Sequence, residues 1–277
     1  MGSWLWSTNL IESNALHTIS KDGTPIAFDK TGHGPALILT GGAFQDRSGL
    51  AAHAALLSSR FTVYNYDRRG RGESGDNPPY AVEREIDDIG ALIQAAGGSA
   101  LLFGGSSGAV LALDAAASGL PITKLALYEP PFVVDDTRNP VPDDFVGQLG
   151  ELVATGRRSD AAQAFMTIGA NVPAEVVAAM RQAPFWPATE AAAHTLVYDG
   201  AIMAGTMSGK PLPAARWASV TMPTLVMDGG QSPAWARNAV QALVSLLPNA
   251  QRRTLPGQEH NVAPEALTHA LNEFLNA

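Results

Sequence analysis

A serine flanked by glycines lies near the middle of the chain and could act as a nucleophile. Residues 104–108 read Gly-Gly-Ser-Ser-Gly, which matches the pattern G-x-S-x-G with Ser106 at its centre. An apolar run precedes this segment and a helical pattern follows it, which predicts a sharp strand-to-helix turn. Small residues at Gly104 and Gly108 let such a turn form without clashes and direct the hydroxyl into open space. We therefore predict Ser106 as the nucleophile, with the Ser107 amide at a helix N-terminus as an oxyanion donor.

A serine nucleophile needs a base, and the chain contains six histidines: His17, His33, His53, His194, His260 and His269. In sites of this type the acid and then the histidine follow the serine along the chain, with the histidine after the last strand. His260 follows a predicted strand, which includes residues 252–255, and a glycine-containing loop, just before the final helical pattern. The other five lie too early or within helical patterns. The sequence therefore predicts His260 as the base.

The elements that would position these residues alternate regularly. Short apolar runs predict strands at 36–40, 61–66, 100–103, 124–128 and 224–227. Amphipathic or apolar patterns predict helices at 49–57, 82–96, 108–117, 234–247 and 264–275. Glycine and proline at 23–25 and 32–35 predict an antiparallel hairpin before the first of these strands. The alternation indicates an α/β fold with a doubly wound, mostly parallel sheet.

One long stretch interrupts this alternation. Residues 132–220 contain no convincing strand and consist of helical pieces separated by prolines. The stretch as a whole is too long for a structureless loop. We interpret them as a helical cap inserted over the carboxyl edge of the sheet, where open α/β sheets bind ligands. The expected domains are therefore a core, 1–131 and 221–277, and an inserted cap, 132–220.

Composition excludes several classes of function. The 277 residues are 46% apolar, carry a net charge of −8 and include no cysteine. Thiol catalysis, zinc–cysteine clusters and disulfide scaffolds are thus excluded, and nucleic acid or an anionic membrane is not the expected partner. The first ten residues, MGSWLWSTNL, lack the basic region of a signal peptide. We expect a cytoplasmic monomer or homodimer without metal or cofactor.

A second glycine pattern invites a nucleotide-binding interpretation. Gly70, Gly72 and Gly75 have the spacing G-x-G-x-x-G. Residues 77–79, Asn-Pro-Pro, follow at once, so no helix N-terminus is available to hold a pyrophosphate. We reject nucleotide binding on this ground.

Together with the serine turn, two further motifs resemble the α/β-hydrolase superfamily, and the resemblance covers nearly the whole chain. Gly-His-Gly-Pro at 32–35, followed by Leu-Ile-Leu-Thr-Gly-Gly at 37–42, is similar to the third strand and oxyanion loop of that family. Asp-Arg-Arg-Gly-Arg-Gly-Glu-Ser-Gly at 67–75 is similar to its D-x-R-G-x-G-x-S turn. The resemblance implies the amide of Gly42, or alternatively of Ala43, as the second oxyanion donor.

The chain departs from the family at the acid. Where the family usually has aspartate after the strand that begins Pro-Thr-Leu-Val, the chain has Ser232, which cannot orient an imidazole as a carboxylate does. Some members, including certain haloalkane dehalogenases and zearalenone lactone hydrolases, place the acid after the sixth strand, where this chain has Glu129. Asp228, at the end of the next strand, is the alternative. We favour Glu129 and leave open Asp228 or a dyad without an acid.

The resemblance implies a cofactor-independent serine hydrolase that cleaves a small, largely apolar carboxylic ester or lactone through an acyl-enzyme. A ligand-binding protein on the same scaffold is the alternative, because the usual acid is missing. Hydrolysis of an amide or a carbon–carbon bond, acyl transfer and cyclisation would use the same residues and also stay open.

Overall fold

The computed structural model describes residues 15–276. The first ten residues, for which we predict no signal peptide, lie outside this range. An eight-stranded sheet forms its centre, in the order β1-β2-β4-β3-β5-β6-β7-β8. The strands are β1 Leu16–Ile19, β2 Pro25–Gly32, β3 Ala36–Thr40, β4 Thr62–Tyr66, β5 Ala100–Gly105, β6 Ile122–Tyr128, β7 Thr224–Gly229 and β8 Ala250–Leu255. β1 pairs with β2 and β2 pairs with β4 in antiparallel orientation, whereas β3 to β8 are parallel to one another. The predicted α/β fold with a mostly parallel sheet is confirmed.

Ten α-helices accompany the sheet in the described part of the chain. They are α1 Ala51–Leu57, α2 Val82–Ala95, α3 Ser107–Ala117, α4 Phe145–Ala154, α5 Arg158–Ala164, α6 Ala174–Met180, α7 Trp186–Ala192, α8 Leu196–Met203, α9 Ala234–Leu246 and α10 Pro264–Leu275. Within residues 15–276, no helix combines the length and the apolar character that a membrane span requires.

Helices cover both faces of the sheet, because successive side chains along a strand point to opposite faces. The apolar residues of α2, α3 and α9 pack with one set of strand side chains, which includes Ile38, Leu102 and Val226. Those of α1 and α10 pack with the alternate set, which includes Leu39 and Phe103. This double cover explains why β3 and β5 are apolar at nearly every position. The parallel orientation of β3 to β8 places their carboxyl ends at one common edge.

The segment between β6 and β7 contains α4 to α8 and, among its described residues, no strand. Its buried residues Phe145, Trp186 and Leu196 belong to the same hydrophobic cluster as α3. Near its two ends the rings of Phe132 and Trp217 are in contact, with centroids 5.3 Å apart. The predicted helical character of the insertion agrees with these elements. Its division from the core as a separate cap domain stays a prediction.

Candidate active site

Ser106 lies on the turn between β5 and α3 in a backbone conformation that side chains rarely adopt, with φ 56° and ψ −128°. The turn is tight on both sides. A Cβ on Gly104 would lie 2.4 Å from the carbonyl oxygen of Gly108, and a Cβ on Gly108 would lie 2.4 Å from the carbonyl oxygen of Gly41. Both glycines are therefore required by close backbone approach, which is the physical reason for the G-x-S-x-G spacing. Ser106 itself lines a cavity at the carboxyl edge of the sheet.

Glu129 and His260 meet at the same edge. The Nδ1 atom of His260 lies 2.7 Å from Oε2 of Glu129, and His260 lines the cavity together with Ser106. Glu129 follows β6 directly, is 3% exposed and has a φ of 45°. Its other carboxylate oxygen accepts a hydrogen bond from the Gly229 amide at 2.8 Å. The structure thus brings the predicted nucleophile and base to one cavity and places the favoured acid in contact with the base.

The electrostatics of Glu129 favour the ionised form. Burial raises the pKa of its carboxyl, but the hydrogen bonds with His260 and the Gly229 amide, with a contribution from Ser232, bring it below the ordinary value of 4.5. An ionised carboxylate only accepts hydrogen bonds, so the proton between the two residues belongs on Nδ1 of His260. In a neutral imidazole held this way, Nε2 is the unprotonated nitrogen, which is the tautomer that a general base requires.

The alternative acid, Asp228, lies at the end of β7 and is fully buried. Its Oδ1 accepts a hydrogen bond from the Thr254 hydroxyl at 2.7 Å, and its Oδ2 pairs with the guanidinium of Arg252. Both partners lie on the adjacent strand β8. The structure therefore places Asp228 in a contact between strands and does not bring it to His260.

Ser232, at the position of the usual family acid, is buried near the Glu129 carboxylate and lowers its pKa. Gly229 lies between the two segments: a Cβ there would be 2.4 Å from the carbonyl oxygen of Gln258 and 2.7 Å from the Ser232 hydroxyl. A small residue at each of these positions leaves room for the Glu129 side chain to approach the loop before His260.

The predicted oxyanion donors lie beside the nucleophile. Ser107 begins α3, and its amide makes no hydrogen bond with the described residues, nor does the amide of Ala43. Gly42 is in close contact with the serine, since a Cβ on it would lie 2.9 Å from the Cβ of Ser106. Its amide donates at 2.9 Å to Oε1 of Gln45, whose side chain also lines the cavity. The side-chain oxygen of Gln45 therefore accepts the hydrogen bond that the Gly42 amide would donate to a substrate oxygen.

The cavity has a volume of about 390 Å³. The residues of the insertion that line it are apolar, namely Phe165, Met166, Ala170, Val172 and Met180, and the ring of Phe165 contacts that of Phe44, which also lines the cavity. Polar side chains, including Thr40, Gln45, His53 and Asn261, contribute to the remaining wall. Among the described residues that line it there is no lysine or arginine. The cavity can thus accommodate a small molecule that combines an apolar part with a neutral polar group.

Tyr128 is a structural residue of the site that sequence reasoning missed. Its hydroxyl donates at 2.5 Å to the carbonyl oxygen of Glu259, the residue before His260. Burial raises the pKa of this phenol well above its ordinary value, so it stays a hydrogen-bond donor. Gln45 was also missed. Neither has a local sequence signal, because each acts through a contact that only the folded loop creates.

The remaining histidines lie elsewhere or lack a carboxylate partner. His194 contacts the carbonyl oxygens of Ala191 and Gly70, and His269 lies 3.3 Å from Glu273. His53 is buried in the cavity wall. No group of three histidine, aspartate or glutamate side chains within residues 15–276 is arranged to hold a metal ion.

Comparison with known proteins agrees with the α/β fold described above. A family model described as "Alpha/beta hydrolase family" matches residues 33–273. A crystal structure of an alpha/beta hydrolase from Sphaerobacter thermophilus DSM 20745 is 56% identical, with a TM-score of 0.88 over 94% of this chain and 100% of that one. The 2-(acetamidomethylene)succinate hydrolase of Mesorhizobium japonicum is 29% identical over 89% of this chain and 90% of its own length. The enol-lactonase of Burkholderia xenovorans LB400, 21% identical, shares the fold with a TM-score of 0.68 over 95% of this chain and 100% of its own.

Proposed function

Because this chain belongs to the alpha/beta hydrolase family, we propose that it hydrolyses a small, uncharged carboxylic ester or lactone through an acyl-enzyme on Ser106. The observation that carries the proposal is the 2.7 Å contact between Nδ1 of His260 and Oε2 of Glu129 at the cavity that Ser106 lines. A carboxylate held in this way orients the imidazole and stabilises it when it becomes protonated.

In the acylation step, Oγ of Ser106 adds to the substrate carbonyl carbon as its proton passes to Nε2 of His260. The carbonyl oxygen gains negative charge, which the amides of Ser107 and Gly42 stabilise. For Gly42 to donate, the substrate oxygen displaces Oε1 of Gln45 from its amide. The bond to the alkoxy oxygen then breaks as that oxygen takes the proton from His260. An ester releases its alcohol, whereas a lactone keeps it tethered to the acyl group.

In the deacylation step, His260 takes a proton from water, and the resulting hydroxide adds to the acyl carbon. Collapse of this second tetrahedral intermediate returns the proton to Oγ of Ser106 and releases the carboxylic acid. The chemistry balances with water as the only co-reactant, so the proposed reaction needs no metal or cofactor.

The cavity supports the substrate class. Its apolar wall fits a hydrophobic acyl or alcohol group, and no lysine or arginine among the described lining residues is present to pair with a carboxylate. The Mesorhizobium japonicum relative is by name a hydrolase of a succinate. An ionised succinate would lie unpaired in this cavity at a large desolvation cost, so we infer a neutral substrate for this chain.

The ligand-binding alternative depended on the absence of the usual acid at Ser232. Glu129 supplies a carboxylate to His260 from the neighbouring strand end, so that argument loses its support. The cavity geometry does not separate ester from amide or carbon–carbon cleavage, so the choice of an ester or lactone is tested by direct assay.

The experiment that tests the proposal is intact-protein mass spectrometry after treatment with a fluorophosphonate, followed by assays on p-nitrophenyl esters and lactones. We expect one adduct on the wild type and none on Ser106→Ala. The matched control is Ser118→Ala, which removes a hydroxyl at the opposite end of α3 and should label as the wild type does. Folded wild-type protein without an adduct and without ester or lactone hydrolysis would contradict the proposal.

A further inference from the structure

The second serine of the turn, Ser107, has a partner in the insertion. Its hydroxyl donates at 2.7 Å to Oδ1 of Asp199, which lies on α8. Ser107 is 1% exposed and Asp199 is fully buried. The residue whose amide is the expected oxyanion donor is thus attached, through its side chain, to a carboxylate from outside the sheet.

Asp199 is held in turn by two buried arginines. Arg68 Nη1 lies 2.7 Å from its Oδ1, and Arg71 Nη2 lies 2.6 Å from its Oδ2. Glu85 pairs with the other side of the Arg68 guanidinium, so two positive and two negative charges balance in the interior. Burial alone would raise the pKa of Asp199, but the two arginines and the Ser107 hydroxyl lower it, and the carboxyl stays ionised.

The same two arginines hold the oxyanion loop. Arg71 Nη1 donates at 2.6 Å to the carbonyl oxygen of Gly42, and Arg68 Nη1 lies 3.4 Å from the carbonyl oxygen of Gly41. In a trans peptide the carbonyl and the following amide point in opposite directions. A carbonyl of Gly41 directed toward the arginines therefore directs the amide of Gly42 away from them, and the carbonyl of Gly42 directs the amide of Ala43 in the same way.

We propose that Asp199 is a positioning residue for the oxyanion site: through the Ser107 hydroxyl on one side and Arg68 and Arg71 on the other, it fixes the orientation of the donor amides on both sides of the nucleophile. The inference rests on the proposed hydrolase function. It goes further by assigning to the insertion a contribution to transition-state stabilisation, in addition to its apolar cavity wall.

A positioning role of this kind has a kinetic signature. The donor amides act on the charge that develops in the transition state, so their misorientation lowers kcat while KM changes little. A loss of packing alone would instead lower stability, or the amount of active enzyme, without a specific loss of affinity for compounds that carry an oxyanion. The two effects are therefore separable by measurement.

The experiment compares Ser107→Ala with Ser107→Thr and with Thr254→Val. The first variant removes the hydroxyl that contacts Asp199, and the second retains a hydroxyl. The third is the matched control, because the Thr254 hydroxyl also donates at 2.7 Å to a buried aspartate paired with an arginine, away from the oxyanion site. For each variant we measure kcat and KM on a p-nitrophenyl ester, Tm, and the Ki of a trifluoromethyl ketone, whose hemiketal oxygen occupies the oxyanion site.

For Ser107→Ala we expect kcat to fall by about 10- to 100-fold, since small misplacements in a catalytic site have effects of this order. The Ki should rise by a similar factor with KM close to that of the wild type, while Tm falls by a few degrees as it does for Thr254→Val, since each variant removes one hydrogen bond to a buried carboxylate. Ser107→Thr should recover most of the kcat, and Thr254→Val should retain the wild-type kcat and Ki. A Ser107→Ala enzyme with the kcat and Ki of Thr254→Val would overturn the inference while leaving the hydrolase function intact. A wild type that neither hydrolyses esters or lactones nor labels would overturn both.

Asp199→Asn tests the inference from the other partner of the Ser107 hydrogen bond. It leaves two buried arginines against Glu85 alone, so a lower Tm accompanies any kinetic change. Measured well below that Tm, the folded fraction should show the same pairing of a lower kcat with a weaker trifluoromethyl ketone. A folded Asp199→Asn enzyme with wild-type values of both would also overturn the inference.

Discussion

The amide nitrogen of Ser106 donates to the carbonyl oxygen of Tyr128 at 2.9 Å. The serine turn is thereby bonded to the residue that directly precedes Glu129. The strands β5 and β6 are neighbours in the sheet, whereas β7 is one strand farther away. A carboxylate after β6 therefore begins from the strand adjacent to the nucleophile, and its side chain reaches the loop of His260 from there. The position of the Glu129 carboxylate, the acid that we propose, is thus determined by the sheet itself.

Replacement of that acid tests its role directly. We expect Glu129→Gln to lower kcat by about 10³-fold or more, because an amide can hold the wrong imidazole tautomer and does not stabilise the imidazolium. The measurement is steady-state hydrolysis of an activated ester. Asp228→Asn is the control, and it should lose thermal stability but retain kcat to within a few-fold. The reverse pattern in the two variants would identify Asp228 as the acid.

The lowered pKa of Glu129 predicts a pH dependence of stability. A carboxyl whose pKa is depressed by folding stabilises the native state above its unfolded value, and this contribution disappears as the pH falls through the folded value. The Glu129 contribution is therefore complete well above pH 4.5 and decreases below it. We expect the free energy of unfolding of the wild type to fall more steeply below pH 4.5 than that of Glu129→Gln. Parallel curves for the two proteins in urea titrations between pH 3 and 7 would contradict this prediction.

The Tyr128 hydroxyl provides a test of the loop that carries His260. We expect Tyr128→Phe to lower kcat by about 3- to 10-fold, since it removes a single hydrogen bond to the carbonyl oxygen of Glu259 and leaves the His260–Glu129 contact in place. Tyr64→Phe is the matched control, because its hydroxyl also donates to a backbone carbonyl, that of Ala95, and neither residue lines the cavity. Equal kcat values for the two variants would show that the loop does not depend on Tyr128.

The contact between Gln45 and the Gly42 amide predicts a rearrangement on ligand binding. In a crystal structure with a boronic acid bound to Ser106, we expect a boronate oxygen to accept from Gly42 and the Gln45 side chain to have moved beyond hydrogen-bond distance. Gln45→Glu should lower kcat and weaken the boronate, because it places a negative charge beside the developing oxyanion. Gln45→Met is the matched control of similar length without charge. A boronate oxygen on the amide of Ala43, with Gln45 unmoved, would assign the second donor to Ala43.

Local sequence patterns predicted the elements of the core closely. The expected limits of β3 and α10 agree with the structure, and those of α2 and α9 differ by one residue. The reason is that both signals are local: an apolar run between turn residues for the strand, and a 3.6-residue period after a proline for the helix. The helical pieces of the insertion were predicted in kind but not in their limits, because Pro and Gly punctuate it without a regular period.

The acid illustrates what the sequence could not decide. Glu129 and Asp228 both end a strand at the correct edge, so composition and order left both open. The difference arises from the register of β7 with β8, which pairs Asp228 with Thr254 and places Arg252 within reach of its carboxylate. Such pairings depend on neighbours that are distant in sequence. The contact between Ser107 and Asp199 depends on the fold in the same way, because 92 positions separate the two residues in sequence.

The Asp199 contacts also bear on how such an enzyme can be diversified. An insertion that contributes to a cavity wall is a natural segment to exchange when a new specificity is sought. Here an exchanged segment without a carboxylate at this place would leave Arg68 and Arg71 inside the protein with one counter-charge fewer. A chimera that exchanges the insertion must therefore either transfer the aspartate together with it or replace both arginines.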